Sequence, residues 1–285
     1  MSFINSVNNQ DNRITLYKSG VPQVETVTSK DTVSVCFMDT ETTGRDKDND
    51  SIIEIALKRS LVDMSTFEIR DICEEYQSFN DPGEKLTKEI NVLTGITDEM
   101  IKGHAIDISK VDSVLSASDI IVAHNALFDR GFVDRISGVS KNKIWACTFR
   151  DIDWLERGFP SSKQELLCYW HGFYFDSHRA MNDVDALIHL VTHSTYKSDR
   201  PLKELIESAG RPLYLIKATN FPYNEQKKNT IKANGYGWNA DEKVWSKRVL
   251  FDDLEEEREW LTGVIYHDNF NGVVEEINLV DKYKN

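Results

Sequence analysis

Ile120-Ile121-Val122-Ala123 is an unbroken apolar run, and it is followed at once by a stretch, Ala126 to Ile136, whose apolar positions recur at helical spacing. A strand with no polar side is covered on both faces, a situation found in sheets flanked by helices. Lys143 to Thr148 reads as the next strand. Upstream, VSVCFMDTET from Val33 is a β-rich run closed by Thr42-Thr43-Gly44, and after the polar loop Arg45 to Asp50 a second run, IIEIAL, begins. A third strand is expected around Ile72 to Phe79, broken by Pro82-Gly83, with helical stretches through Ile90 to Met100 and Val111 to Leu115. Strands followed by alternating helices and strands define an α/β fold.

At 285 residues the chain has room for one large domain with an appendage. We expect an N-terminal arm over 1–30, a main domain over 31–198 and a small C-terminal domain over 199–285, with the boundary near Ser198-Asp199-Arg200-Pro201. The last piece reads as a strand from Leu213, a Lys-rich helix from Asn224 to Ala233, a hairpin across Gly237 to Trp245 and an acidic helix from Asp252. That is a small α+β module. Charge follows the same division: the net −13 separates into −11 over 1–196, +5 over 197–248 and −7 over 249–285. An acidic body concentrates carboxylates, and the basic piece is the part suited to phosphate. No run approaches the roughly 18 uncharged apolar residues of a membrane span, and the opening lacks a signal peptide's apolar segment. A cytoplasmic protein without a membrane partner is expected. Cys36, Cys73, Cys147 and Cys168 form no paired motif and read as buried thiols.

Asp39 and Glu41 close the first strand two residues apart, so a period of two sends both to one face. Taken alone, such a pair is equally an exposed sheet edge. On the helix from Ala126, Asp129 falls among Phe132, Val133 and Ile136, while Arg130, Asp134 and Arg135 point elsewhere. Asn125, four residues before it, could orient Asp129 or a substrate; an ordinary helix-start acid is the plainer alternative. On the helix opened by Ser177 to Asp185, the core stripe is Ala180, Val184, Leu187 and Val191. Asp183 borders that stripe and Asp185 does not, so Asp183 is expected to turn toward the sheet and Asp185 to be solvated. His178 stands at the helix entrance, where alone it would pass for a surface histidine.

Were Asp39, Glu41, Asp129 and Asp183 to converge as bare anions, each pair near 4 Å would repel by about 4 kcal/mol at an effective dielectric of 20. A cation must intervene. All-oxygen ligation suits Mg²⁺ or Mn²⁺, and four acids suffice for two ions, an arrangement that clamps the attacking and leaving oxygens of a phosphodiester. In that chemistry His178 takes the proton of the attacking water, since an ordinary histidine titrates close to neutrality.

In order, these positions resemble the three motifs of the DnaQ-like (DEDDh) 3′–5′ exonucleases of the ribonuclease H-like superfamily: Phe37 to Gly44 with Ile53 to Ala56, His124 to Asp129, and His178 to Asp183. Leu93 to Thr97 also looks like that family, and the proportions are similar to those of proofreading epsilon-type subunits and exodeoxyribonuclease X. The likeness covers roughly Val33 to Ser194. It implies a five-stranded mixed sheet flanked by helices and release of 5′-mononucleotides from a 3′ end. DNA is the expected substrate, although the motifs do not settle the sugar, and single strands are expected because a cleft for one 3′ end threads an unpaired strand most easily. The likeness further implies metal ligation by Asp39, Glu41, Asp129 and Asp183, with His178 as base, Thr42 and Asn125 near the terminal nucleotide, and Phe128 close by. An exoribonuclease, or an idle nucleic-acid-binding or polymerase-tethering module, is the competing reading; no protein partner is identified.

In the basic piece, Lys227, Lys228, Lys232, Lys243, Lys247 and Arg248 interleave with Tyr236, Trp238 and Trp245. Such interleaving suits a nucleic-acid strand. Alternatively the tryptophans face each other across the hairpin as the core of a small domain. His189 with His193, and Cys168 with His171, lack a complete zinc spacing. Glu54 is expected to face away from the core side of its strand or to cap a polar contact, with no catalytic role.

Overall fold

The structure, a computed structural model, describes residues 15–20, 31–197, 199–267 and 269–284. It divides into two units. The first runs to Ala209 and takes in Tyr283 and Lys284; the second spans Gly210–Lys282. Ser198, at the expected boundary, lies outside the described residues. The division falls later than expected because the helix Pro201–Ala209 is amphipathic and buries Leu202, Leu205, Ile206 and Ala209 in the core of the first unit.

In chain order the first unit contains β1 (Tyr17–Lys18), β2 (Thr32–Thr42), β3 (Ile52–Asp63), β4 (Ile69–Phe79), α1 (Lys88–Thr94), α2 (Asp98–Ile101) and α3 (Ile108–Ser116). It continues with β5 (Ile120–Ala123), α4 (Ala126–Ile136), β6 (Ile144–Cys147), α5 (Gln164–Trp170), β7 (Phe173–Tyr174), α6 (Ala180–Val191) and α7 (Pro201–Ala209). The expected helix through 90–100 is two, because Gly95 takes a left-handed conformation (φ 68°) that ends α1. Five strands form one mixed sheet in the order β4-β3-β2-β5-β6: the first three are antiparallel, while β2, β5 and β6 run parallel. All four residues of β5 are buried, as their unbroken apolar character requires.

Helices cover both faces. Val35 and Phe37 of β2 pack in one core with Ala180, Val184, Leu187 and Val191 of α6, whereas Cys36 and Met38 pack in another with Ala126, Phe132 and Val133 of α4. Part of the expected arm is structured: Tyr17 and Lys18 pair in parallel with Phe173 and Tyr174, and the Gly20 carbonyl meets His189 Nδ1 at 2.7 Å. The remaining arm residues, 1–14 and 21–30, lie outside the described residues. Cys36, Cys147 and Cys168 are buried thiols, but Cys73 is half-buried.

The second unit contains β8 (Leu213–Ala218), α8 (Glu225–Ala233), β9 (Gly237–Asn239), β10 (Val244–Leu250), α9 (Leu254–Trp260) and β11 (Val273–Ile277). Its antiparallel sheet has the order β11-β8-β10-β9. β11 went unread in the sequence, since Val273-Val274-Glu275-Glu276-Ile277 has no sustained alternation. No helix of the described residues is long and apolar enough to cross a membrane.

Candidate active site

The alternation of β2 explains how its acids are aimed. Extending the period beyond Met38 sends Asp39 and Glu41 to the α6 face and Thr40 to the α4 face. On the α6 face, the ligand oxygens of Asp39, Glu41 and Asp183 lie within 4.8 Å of one another. On the α4 face, Asp129 Oδ1 accepts the Thr40 N–H at 3.0 Å and the Thr40 hydroxyl at 2.8 Å. β2 pairs with β5 only as far as Phe37 and Val122, so the carboxylate of Asp129 satisfies an N–H that the parallel ladder leaves behind. Asp129 stands outside the compact trio, close enough to act on Asp39 through its charge.

Asp183 is fixed by its own helix. Its Oδ2 accepts the Arg179 N–H at 3.1 Å, and Gln164 Nε2 donates to its backbone carbonyl at 2.9 Å. The free amides of a helix's first turn favour negative charge there. Behind this entrance lies Glu54, fully buried, the cross-strand partner of Glu41. Arg179 donates to it twice, from Nε at 3.2 Å and Nη2 at 3.1 Å; Gln77 Nε2 adds a bond at 2.8 Å and the Ala180 N–H one at 3.1 Å. Glu54 therefore caps a polar contact, as one branch of the sequence reading had it, but it is buried on the side of the site. Such a bidentate, fully hydrogen-bonded pair ties the start of α6 to β3 beside the acids.

The remaining expected residues line the same cleft, a cavity of about 600 Å³. Asn125 is exposed there in a left-handed conformation (φ 67°), which an asparagine tolerates, and its side chain makes no capping bond to α4. It is Thr40, rather than Asn125, that orients Asp129. Thr42 is buried and its hydroxyl donates to the Gly44 carbonyl. Phe128 packs on Phe132 with ring centres 5.0 Å apart. His178 is exposed at the cleft with φ 62°, a conformation that is costly for a residue with a Cβ and that recurs at functional sites.

Electrostatics sets the four acids apart. Asp39 is pushed well above the usual carboxylate range by loss of water, then by Asp183, Asp129, Glu41 and the charge of Glu54. Burial, with Asp183 next, raises Glu41 to about 8. Burial lifts Asp129 to about 7 against the bonds from Thr40, and Asp183 to about 7 against the amides at its helix entrance. Acids that crowding and loss of water make reluctant to ionise as bare anions are relieved by a divalent cation, and the donor set is all oxygen with no thiol in the trio. His124 also lines the cleft, but burial lowers it to about 4, and its Nδ1 is 2.9 Å from the Thr148 hydroxyl. It stays neutral.

Two expectations require correction. Arg130 does not point away from the interior: it is fully buried, ion-paired with Asp134 at 3.2 Å and stacked over Trp145. Asp185 is not simply solvated, because the buried Lys58 ion-pairs with it and with Glu75. Thr40, Glu54, Arg179 and His124 were missed as site residues. The signals were a hydroxyl between two acids and a lone glutamate inside the apolar run IIEIAL.

A mixed sheet of this order, with an acid pair on β2 and acids from two helices that flank it, defines an exonuclease domain of the ribonuclease H-like, DnaQ type. Structural likeness agrees. Exonuclease I, solved in a study of its processivity, superposes with a TM-score of 0.52 at 17% identity, covering 87% of this chain and 63% of that one. E. coli exonuclease I in complex with a 5cy-dT13 oligonucleotide gives 0.51 at 17% identity, over 88% and 66% of the two chains. The chain belongs to the RNase_T family, described as Exonuclease, whose model matches residues 36–191. Among curated relatives, the PolC-type DNA polymerase III of Halalkalibacterium halodurans is 36% identical over 166 residues, which is 54% of this chain and 11% of that one. The PolC-type polymerase of Listeria monocytogenes is 43% identical over 105 residues, 35% of this chain and 6% of that one. The chain thus spans about a tenth or less of the length of these relatives.

Proposed function

We propose that the chain is a divalent-metal-dependent 3′–5′ exodeoxyribonuclease that releases 5′-mononucleotides from single-stranded DNA. The observation that carries this reading is the trio Asp39, Glu41 and Asp183, brought from β2 and α6 to within 4.8 Å, with the charge of Asp129 acting on Asp39 beside it. An inactive binding module would have no reason to hold such mutually repelling groups together. The choice of DNA rests on the DNA polymerase relatives.

Asp39, Glu41, Asp129 and Asp183 would hold Mg²⁺ or Mn²⁺, two ions in all. Bound there, such ions neutralise charge on the scissile phosphate and acidify the attacking water. The chain's own groups supply the rest. His178 takes the proton of the attacking water at the exposed edge of the cleft, a role for which His124, lowered to about 4, is too weak a base. Thr40 fixes the carboxylate of Asp129, and the Glu54–Arg179 pair fixes the entrance of the helix that carries Asp183. Phe128, Asn125 and Thr42 receive the terminal nucleotide, with the ring of Phe128 against its base.

The test is digestion of matched 5′-labelled DNA and RNA oligonucleotides with Mg²⁺, with Mn²⁺ and with chelator. A ladder shortening from the 3′ end of DNA, lost on chelation, is expected. RNA-only cleavage would replace the sugar assignment, and activity that survives chelation would refute the mechanism.

A further inference from the structure

The second unit contains a cavity of about 790 Å³ whose walls include Phe221, Tyr223, Trp238 and Trp245, within the size range of small-ligand sites. Trp245 and Trp238 are direct cross-strand partners on β10 and β9, with ring centres 5.3 Å apart. They are not equivalent. Trp245 is buried with Ile216, Ala218, Ile231 and Val249 in the core of the unit, while Trp238 is 51% exposed and Tyr223 68% exposed. The core is closed by Trp245 without Trp238, so a large apolar ring is left in the cavity wall with one side free of protein.

Charge at the cavity runs against the rest of the unit. Residues 210–282 carry 10 Lys+Arg against 13 Asp+Glu, yet the cavity is lined by Lys228, Lys232 and Lys243 and by a single acid, Glu242. Lys217 already ion-pairs with Glu242 at 2.7 Å. Lys228 and Lys232 stand one helical turn apart on α8. Lys243 holds a left-handed conformation (φ 53°) beside the second hairpin strand, a position that glycine or asparagine fills at less cost. Lys228 is already paired with Glu225 at 3.1 Å, and other basic residues of this piece are engaged too: Lys247 with Glu257 and over the Tyr236 ring, Lys227 with the Ile265 carbonyl, and Arg248 with the Lys282 carbonyl.

We propose that this cavity is a binding site for an unpaired polynucleotide strand, with bases stacked on Trp238 and Tyr223 and phosphates held by Lys232 and Lys243. Stacking on aromatic rings and a basic groove are the pair of features by which strands are held without regard to sequence. The site rests on residues of the second unit alone and stands apart from the catalytic reading, which it would serve by retaining substrate.

The test is equilibrium binding of fluorescein-labelled oligo(dT) to the full chain in chelator, over a series of salt concentrations. Hydrolysis of thymidine 5′-monophosphate p-nitrophenyl ester with Mn²⁺, a substrate with one nucleotide, is read in parallel. Trp238→Ala should raise Kd by about 5- to 150-fold, the range for loss of one stacked base, and Trp238→Phe should restore most of the affinity. Lys232→Gln with Lys243→Gln should flatten the salt slope by about 1.4, the value for two phosphate contacts on a single strand. Ester hydrolysis should be unchanged in all of them. Oligonucleotide binding that is indifferent to Trp238 and to both lysines would overturn the proposal, as would a change in association state of Trp238→Ala showing that a second copy of the chain fills the cavity. Trp238-dependent binding with no hydrolysis of either substrate would sustain the site while defeating the exonuclease reading.

Discussion

Removing divalent metal should make the protein's stability fall as pH rises from 6.5 to 8. Glu41 is raised to about 8, and Asp129 and Asp183 to about 7, each from an ordinary value near 4. An acid whose folded pKa is raised binds more protons folded than unfolded, so its contribution is complete below the unfolded pKa and is lost as pH climbs through the folded one. Below pH 6.5 this trend is opposed by His124, His171 and His193, which burial lowers to about 4 and which therefore favour folding as pH rises toward their unfolded value. At pH 6.5 the unfolded histidines are still half protonated, so over the window to pH 8 the three return about 1 kcal/mol in all, while Asp39, also raised, falls with the other acids. At about 1.4 kcal/mol per pKa unit, Glu41 loses somewhat under ~2 kcal/mol between pH 6.5 and 8, and Asp129 and Asp183 add about 1 kcal/mol each. Set against the histidines, a net fall of about 2 kcal/mol or more is a sizeable fraction of a normal folding free energy, which runs at about 5–15 kcal/mol. Urea denaturation in chelator at the two pH values reads it directly. Glu41→Gln should remove ~2 kcal/mol of the decline, and Mn²⁺ should stabilise the wild type more at pH 8 than at 6.5. A stability that is flat or rising over this window, or a decline unaltered in Glu41→Gln, would refute the reasoning.

Other consequences are as specific. Asp39→Ala and Asp183→Ala should abolish turnover while leaving DNA affinity intact or improved through lost repulsion, as a comparison of cleavage rate with binding will show. His178→Ala should slow hydrolysis by about 10²- to 10⁴-fold; an unchanged rate would take it out of the mechanism. Thr40→Val keeps the N–H bond to Asp129 but deletes the hydroxyl bond, and a fall of about 10- to 100-fold in metal affinity or rate is expected, with rescue by Thr40→Ser. Arg179→Ala strands the buried carboxylate of Glu54 opposite Glu41, and should destabilise the protein by about 3 kcal/mol in urea titrations.

The site was legible where one element's own periodicity decided the matter. A period of two was enough to put Asp39 and Glu41 on one face, and a helical wheel was enough to separate Asp183 from Asp185. What escaped depended on a second element. Thr40 orients Asp129 only because β5 ends short of it, and Glu54 matters only because Arg179 arrives from α6. Arg130 shows the same limit in reverse: a wheel sends a guanidinium outward, whereas Asp134 and the ring of Trp145 make its burial tolerable. The two tryptophans of the second unit fall on both sides of the alternative posed by the sequence. They do face each other across the hairpin, yet only Trp245 belongs to the core. The boundary was misplaced because charge changes near 197 while the packing of the first unit persists to Ala209.

Anomalous diffraction from crystals grown with Mn²⁺ would locate the ions themselves. We expect peaks within bonding distance of carboxylate oxygens of Asp39, Glu41 and Asp183, with Asp129 completing the set. Manganese that binds elsewhere, or none among these four side chains, would contradict the account at its root.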